Sequence, residues 1–288
     1  MDPFVLQWDR FRLELGKRTA VMGILNTTPD SFSDGGRYLD LDAALTHGEE
    51  MIRQGADILD IGGESTRPFS QPVPAELEME RVVPVIEKLS RCIDVPISID
   101  TSKASVAEAA LNAGAAMIND ISALENDPGM AGLAARTGVP VVLMHIQGTP
   151  ETMQVNPNYT EIVQEIKTYL AGRCEFAVKS GIRKDRIILD PGIGFGKTAH
   201  DNLVLIKHLE KLQTLGCPIL MGPSRKSFIQ KVLSQQTDRK NQAEARTTEM
   251  GTLAAVAVSA VNGAEIVRVH DVAAVKPMVE IVNAIQNA

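Results

Sequence analysis

The sequence predicts a parallel (β/α)8 barrel, a TIM barrel, formed as one domain over residues 1–288. Strand-like apolar runs alternate with segments of helix length, the βα repeat of a parallel α/β architecture rather than separate blocks of each type. Eight such runs occur, and each breaks off at or near a polar residue suited to holding a ligand. In a barrel all strand exits share one face, where these folds carry their chemistry, so the coincidence has a natural meaning. The length of 288 residues is close to the ~250 that this architecture uses. An open doubly wound sheet competes, but it does not need eight strands that each end in chemistry.

After a short N-terminal lead-in of residues 1–18, the first run is Thr19 to Leu25, ending at Asn26. Leu41 to Gln54 follows with apolar positions at helical spacing. Asp57 to Ile61 leads to Glu64, and Glu76 to Leu89 is again periodic as a helix. Pro96 to Ile99 ends at Asp100, and the helix Lys103 to Asn112 is closed by Gly114. Ala116 to Ile118 ends at Asn119, ahead of a shorter helix from Pro128 to Arg136. Pro140 to Met144 ends at His145, and the long helix Tyr159 to Lys179 stops before Gly181, a residue suited to the position past a helix end. Arg186 to Leu189 ends at Asp190, with a helix from Asp201 to Leu215 stopping before Gly216. Pro218 to Met221 leads to Ser224, and helices fit Lys226 to Leu233 and Ala243 to Val261. The polar stretch Ser234 to Asn241 between them reads as a mobile loop away from the site. Glu265 to His270 is the last run, and Ala274 to Ile285 the last helix.

A net charge of -7, from 36 acidic and 29 basic residues, argues against a general nucleic-acid or anionic-membrane binder. Any anion must therefore be met by local donors. Cys92, Cys174 and Cys217 are widely spaced and odd in number, which offers neither a disulfide framework nor metal-ligand spacing and fits a reducing cytoplasm. The opening MDPFVLQWDR lacks a basic stretch followed by an apolar one, and no apolar run nears the ~18 residues of a membrane span.

The loop from Asn26 to Gly36 is dense in Asn, Thr, Ser, Asp and Gly, and suits a lid over substrate, although Asn26 and Asp30 also read as turn residues. A second polar loop, Asp60 to Pro68, carries Arg67 at its tip; a loop Arg is usually a solvated charge, although one flanked by Thr and Pro on a barrel's catalytic face can meet an anion bidentately. Asp100, Asn119, Asp120 and Asp190 stand at three strand exits. Helix capping explains one of these positions well and three poorly; together they form a ring of acceptors and donors suited to a polar heterocycle. The glycines of Asp190 to Lys197 match neither GxGxxG nor P-loop spacing, and a backbone passing close to a flat ligand beside Phe195 explains them as readily. Ser224-Arg225-Lys226-Ser227 opens a helix after the seventh run, where barrels often bind anions, with Lys226 a donor to a ring oxygen or nitrogen. Arg268 and His270 lie two apart on one strand, hence on one face, as an anion clamp would. Met144 reads as pocket wall, and His145, facing the other way, as structural; no cluster has zinc spacing.

Eight stretches then resemble the dihydropteroate synthase family over nearly the whole chain. They are MGILNTTPDSFSDGG (Met22 to Gly36), GADILDIGGESTRP (Gly55 to Pro68), SIDTSK (Ser98 to Lys103), INDIS (Ile118 to Ser122), LMHIQGTPETMQ (Leu143 to Gln154), DPGIGFGK (Asp190 to Lys197), GPSRKSFI (Gly222 to Ile229) and IVRVHDV (Ile266 to Val272). The resemblance implies condensation of 6-hydroxymethyl-7,8-dihydropterin diphosphate with 4-aminobenzoate. It implies that Asp100, Asn119, Ile121, Met144, Asp190 and Lys226 form the pterin site. Asn26, Thr66, Arg268 and His270 would hold the diphosphate, with Asn26 also a ligand of Mg²⁺. Phe32, Thr66, Arg67, Pro68, Phe195 and Ser227 would form the aminobenzoate pocket. Asp100, Lys226, Arg268 and His270 would act in a dissociative substitution, and the protein would be a homodimer through the apolar helix Leu253 to Val261. Phe69-Ser70-Gln71 departs from the Gly-Ala that many members carry after Arg-Pro, which bears on the second loop's shape and on sulfonamide sensitivity. The alternatives are a pterin-binding methyltransferase domain, which needs neither aminobenzoate pocket nor diphosphate clamp, and a non-catalytic pterin-binding paralogue, which would have lost Asn26, Phe32 or Arg67.

Overall fold

A computed structural model describes residues 4–28, 37–66, 70–236 and 245–288. The chain opens with β1 (Phe4–Trp8) and β2 (Phe11–Leu15), then β3 (Ala20–Asn26), α1 (Arg37–Arg53), β4 (Ile58–Gly62), α2 (Ala75–Leu89), β5 (Ile97–Asp100), α3 (Ala104–Asn112), β6 (Met117–Asp120) and α4 (Pro128–Thr137). There follow β7 (Val141–Met144), α5 (Ile162–Lys179), β8 (Ile187–Asp190), α6 (Ala199–Lys207), β9 (Leu220–Met221), α7 (Ser227–Gln236), α8 (Ala245–Val261), β10 (Ile266–Val269) and α9 (Val272–Gln286). Strands β3 to β10 pair in parallel in the order β8-β7-β6-β5-β4-β3-β10-β9. A parallel bridge between Leu189 and Ile219, with Leu189 N–H donating to Pro218 O at 2.9 Å, joins the two ends and closes the barrel. All eight expected runs are strands of this barrel.

Alternation along each strand sorts the core into two parts. Residues such as Val21, Leu25, Leu59, Ile61, Ile99, Ile118, Leu143, Leu189 and Val267 belong to the large cluster that includes the helices. Met22, Ile58, Met117, Val142, Ile188, Leu220 and Ile266 point the other way and form a separate layer near the strands' N-terminal ends. What fills the barrel beneath that layer is the N-terminal segment, which the sequence reading left as a lead-in. It is an antiparallel hairpin whose Leu6, Trp8, Phe11, Leu13 and Leu15 are buried against the inner layer. Trp8 Nε1 donates to Ala116 O at 2.8 Å, so the indole's polar atom is satisfied inside an apolar plug.

Local chemistry sets the helix ends. Asp127 accepts from Gly129 N at 2.8 Å with Pro128 at the first helical position, and Gly138 at φ 67° closes α4. The expected helix from Tyr159 begins later, at Ile162, because Glu165 Oε1 accepts from the backbone N–H groups of Thr160 and Glu161 and caps the helix from inside. The expected helix from Asp201 to Leu215 is broken. α6 ends at Lys207, where Asn262 Nδ2 donates to Ile206 O at 2.8 Å, and two short 3₁₀ turns follow. The stretch 237–241 of the expected mobile loop lies outside the described residues. No helix among the described residues is long and apolar enough to cross a membrane.

The plug makes a testable demand. Trp8→Ala removes a large buried ring and the partner of the Ala116 carbonyl, and is expected to cost about 3–5 kcal/mol of stability. Denaturant unfolding measures this; a change below about 1 kcal/mol would mean that the hairpin does not seal the barrel floor.

Candidate active site

The inward register that makes the lower layer apolar turns polar towards the strand exits. Two residues beyond Ile58, Met117, Val142, Ile188 and Ile266 stand Asp60, Asn119, Met144, Asp190 and Arg268. Strand pairing sets them side by side: Asn119 is opposite Asp100, and Met144 opposite Asp190. Asp100, Asn119, Ile121, Met144, Asp190, Ile193, Phe195, Lys226 and Arg268 line one narrow inner slot, with Thr66 at its edge. It adjoins a wider outer cavity of about 530 Å³, lined by Asn26, Thr28, Thr66, Asp100, Ser224, Lys226, Ser227, Arg268 and His270 among others.

Arg268 ties the slot together. Its Nε donates to Asp60 Oδ2 and its Nη2 to Asp100 Oδ2, each at 2.6 Å, while Asn119 Nδ2 donates to Asp60 Oδ2 at 3.0 Å. Burial works against the guanidinium's charge, but Asp60 and Asp100 outweigh it and hold its pKa above the usual value. Burial pushes Asp100 up to about 7, against the pull of Arg268. Asp190 is pushed up to about 6 by burial, opposed by the Gly192 N–H, which donates to its Oδ1 at 2.6 Å, and by Lys226. Lys226 is pushed down to about 8, by burial first and Arg268 second. Its Nζ lies 3.8 Å from the centre of the Phe195 ring, a cation held against an aromatic face. Phe195 packs with Met144 and Met153, which makes the walls apolar between polar edges.

Two backbone features aim these groups. Arg225, with φ 56°, adopts a left-handed conformation rare for its residue type and turns the chain so that Lys226 enters the slot. Gly192 has φ 70°, and a Cβ there would stand 1.9 Å from His145 O, so only glycine allows this loop to lie against the β7 exit. Close backbone approach thus accounts for a glycine that spacing alone left open.

The expected pterin residues Asp100, Asn119, Ile121, Met144, Asp190 and Lys226 all converge on the slot. The expected diphosphate residues Asn26, Thr66, Arg268 and His270 all line the outer cavity. Of the expected aminobenzoate residues, Ser227 lies in the outer cavity, Thr66 borders both, and Phe195 stands in the inner slot. Phe32, Arg67 and Pro68 lie outside the described residues. Asp120 caps a turn, its carboxylate accepting from Ser122 N at 2.8 Å and Leu124 N at 2.9 Å, and Asp190 makes a similar local bond to Gly192 N while still lining the slot. His145 is structural, as expected. Its Nδ1 lies 3.0 Å from the buried Lys197 Nζ, which also donates to Phe195 O at 2.8 Å and braces the 190–197 loop.

Sequence reasoning gave no role to Asp60 or Lys197; Ser224, expected at a strand exit, has its Oγ 2.9 Å from His270 Nδ1. Asp60 carried a signal: a carboxylate two residues beyond Ile58 in a wholly apolar run is a buried charge awaiting a partner.

The chain matches the family model described as pterin binding enzyme over residues 22–270. It is 47% identical over 275 residues to the dihydropteroate synthase of Bacillus subtilis, covering 96% of this chain and 91% of that protein. The chain belongs to the dihydropteroate synthase family. Another member, from Synechocystis, is 46% identical over 94% of this chain and 91% of its own length. Among solved structures, Yersinia pestis dihydropteroate synthase in a sulfonamide drug complex superposes with TM-score 0.89 at 43% identity, covering 98% of this chain and 99% of that one. The Xanthomonas albilineans dihydropteroate synthase complex with 7,8-dihydropteroate gives 0.83 at 42%, covering 96% and 97%. The slot and the outer cavity lie at the C-terminal ends of the barrel strands, the face on which such barrels carry their chemistry.

Two of the shifted groups, Asp190 and Lys226, bound a pH window for pterin binding, and Asp100, pushed up to about 7, titrates inside it. An acceptor carboxylate at Asp190 is lost on protonation below about 6, and a donor ammonium at Lys226 is lost above about 8, so affinity should peak between them. Calorimetry with a free pterin across this range tests it. Asp190→Asn should flatten the acid limb and weaken binding by about 2 kcal/mol or more; an unchanged affinity would remove Asp190 from the pocket.

Proposed function

We propose that this protein joins 6-hydroxymethyl-7,8-dihydropterin diphosphate to 4-aminobenzoate, releasing diphosphate and forming 7,8-dihydropteroate, as an alkyl/aryl transferase of folate synthesis. The observation that carries this reading is the continuity of the two spaces: a slot edged by Asp190, Asn119 and Lys226 adjoins a cavity that holds Arg268, His270 and Asn26. A planar aminopyrimidinone meets the slot with its N–H groups on Asp190 and its ring acceptors on Asn119 and Lys226. Its methyl diphosphate then projects past Asp100 into the outer cavity, and the second substrate's carboxylate lies near Ser227 at the start of α7. A methyltransferase domain would not need that second cavity.

The substitution is dissociative. The methylene C–O bond breaks with both electrons going to the diphosphate, whose charge Arg268 and His270 offset. The pterin-methyl cation left behind is delocalised into the ring and faces the Asp100 carboxylate. The aminobenzoate nitrogen attacks with its lone pair and loses a proton, and closure of the first two loops excludes water. Asn26, whose side-chain oxygen is a hard donor, lines the outer cavity with Thr28 and Ser224. One such ligand fits Mg²⁺ bound mainly through substrate phosphates, and no group of three or more metal-binding side chains occurs among the described residues. When bound, the ion adds positive charge at the leaving group.

The exposed apolar residues Met250, Val258 and Val261 on α8 and Ile281 and Ile285 on α9 support a homodimer through these helices. The free cysteines Cys92, Cys174 and Cys217 suit a reducing cytoplasm. Sulfonamides, as mimics of the second substrate, are expected to compete with 4-aminobenzoate.

A diphosphate-release assay with and without 4-aminobenzoate tests the reaction itself; formation of no dihydropteroate would end the proposal. Binding is expected to be ordered, because much of the second pocket is assigned to loop residues that charge at Asn26 would fix. Calorimetry should show no 4-aminobenzoate binding to free protein and clear binding once pterin, diphosphate and Mg²⁺ are present, whereas equal affinity in both states would mean preformed loops. Arg268→Ala would leave Asp60 and Asp100 as uncompensated buried carboxylates, so it should lose about 3–5 kcal/mol of stability as well as turnover. His270→Ala should lower turnover while pterin affinity holds. Thermal melts and pterin titrations of both variants separate these outcomes, and a stable Arg268→Ala with full pterin affinity would contradict the shared-cluster account.

A further inference from the structure

Outside the substrate-lining residues, one group of charges sits at the root of the second loop. Lys103, at the N-terminal boundary of α3, sends its Nζ back to Glu64 and Glu78. The contact with Glu78 Oε2 is 2.6 Å. Glu78, in the first turn of α2, is fully buried, and its Oε1 has no hydrogen-bond partner among the described residues. Glu64 is the more exposed carboxylate, its side chain 23% accessible against 0% for Glu78. One lysine thus serves two carboxylates of unequal need. An unpaired buried charge is strongly destabilising, whereas a partly exposed one can turn to water. Burial opposes the charge of Lys103, but Glu64 and Glu78 outweigh it and hold its pKa above the usual value.

The chain between these charges is clamped on both sides. Gly62 O accepts from Thr27 N at 2.9 Å and from Thr27 Oγ1 at 3.1 Å, which ties it to the root of the first loop. Gly63 O accepts from Arg81 Nη1 at 2.7 Å, and a Cβ on Gly63 would meet Val82 Cγ1 at 2.8 Å. Glu64 is the next residue, and two beyond it Thr66 borders both the inner slot and the outer cavity. The Glu64 pair, together with the Ser65 carbonyl that accepts from Ser70 Oγ at 2.5 Å, therefore holds the chain where it enters the site.

We propose that Glu64 is a positioning residue: its ion pair with Lys103, anchored on buried Glu78, holds Thr66 in place and shapes the aminobenzoate side of the cavity without touching substrate. This rests on the proposed reaction. Because Glu78 keeps Lys103 when Glu64 is neutralised, Glu64→Gln should fold and melt as the wild type does. Its KM for 4-aminobenzoate should rise roughly tenfold, the equivalent of ~1.4 kcal/mol, while kcat and pterin diphosphate affinity hold. Glu64→Asp, which keeps the charge, should recover part of the loss. Should Glu64→Gln fail to fold, Lys103→Arg preserves a cation for buried Glu78 while changing the geometry of both contacts, and the same split between aminobenzoate KM and pterin affinity is expected. An unchanged aminobenzoate KM in a folded variant, or an equal loss of pterin affinity, overturns the proposal. Absence of dihydropteroate from the wild type would instead overturn the reaction, since the positioning role is read only as a ratio to wild type.

Discussion

Three carboxylates, Asp60, Asp100 and Asp190, lie buried inside the mouth of the barrel, and the site depends on how their charge is met. An isolated carboxylate in such a place would protonate or unfold the structure around it. Arg268 answers two of them at 2.6 Å each, and Lys226 stands near the third. Because Asp60 also accepts from Asn119, one guanidinium and one carboxylate together set the rotamers of three groups that would read a ligand. The three aspartates against the two cations leave the cluster about one charge negative when all are ionised. That balance favours a cationic ligand or transition state in the slot, and under the proposed reaction it would leave an anion to the outer cavity, where His270 and Asn26 stand with Arg268.

A polar upper interior requires a dry lower one. Each strand places inward residues two apart, so moving up the barrel exchanges Ile58 for Asp60 and Ile266 for Arg268 in a single step. Water entering from below would screen the ion pairs and weaken every hydrogen bond in the slot. The hairpin of β1 and β2 prevents this with five buried apolar side chains, and the Trp8 indole meets the Ala116 carbonyl at the strand's start. Distance along the barrel axis thus separates the residues that hold the fold from those that serve the ligand.

The barrel was legible because its strands repeat one local pattern, an apolar run followed by a polar exit, and because Asp100, Asn119, Asp190 and Arg268 interrupt that pattern where side chains must face inward. The hairpin was passed over although Leu6, Trp8, Phe11, Leu13 and Leu15 alternate in the same way, since the two-residue turn Asp9-Arg10 that joins its strands lacks the Asn-Gly or Asp-Gly signature of a tight hairpin. The break after Lys207 depends on Asn262, more than fifty residues away, and no local signal reports such a contact. Glu64 was read as a strand-exit residue suited to a ligand, and its tie to Lys103 and Glu78 was not foreseen, because a network spread over three elements exists only once the barrel brings them together.

The same geometry divides the site by rigidity. The groups that would read the first ligand sit on strand ends or, for Lys226, on a strained turn braced by Arg225 N–H donating to Thr252 Oγ1 at 3.2 Å. Loops carry most residues assigned to the second ligand, and their roots are held by a few polar ties. A slot on strands is fixed by the hydrogen bonding of the whole sheet, so substitutions there act on fold and recognition together. At the described roots of these loops the ties are single side-chain contacts, such as Thr27 Oγ1 to Gly62 O and Lys103 to Glu64, rather than a sheet ladder, so a substitution there removes one tie and leaves the barrel intact. Substitutions at the described root of the second loop, at Glu64 or Lys103, would therefore act on the second pocket with less cost to the barrel than substitutions at Asp60 or Arg268 in the slot.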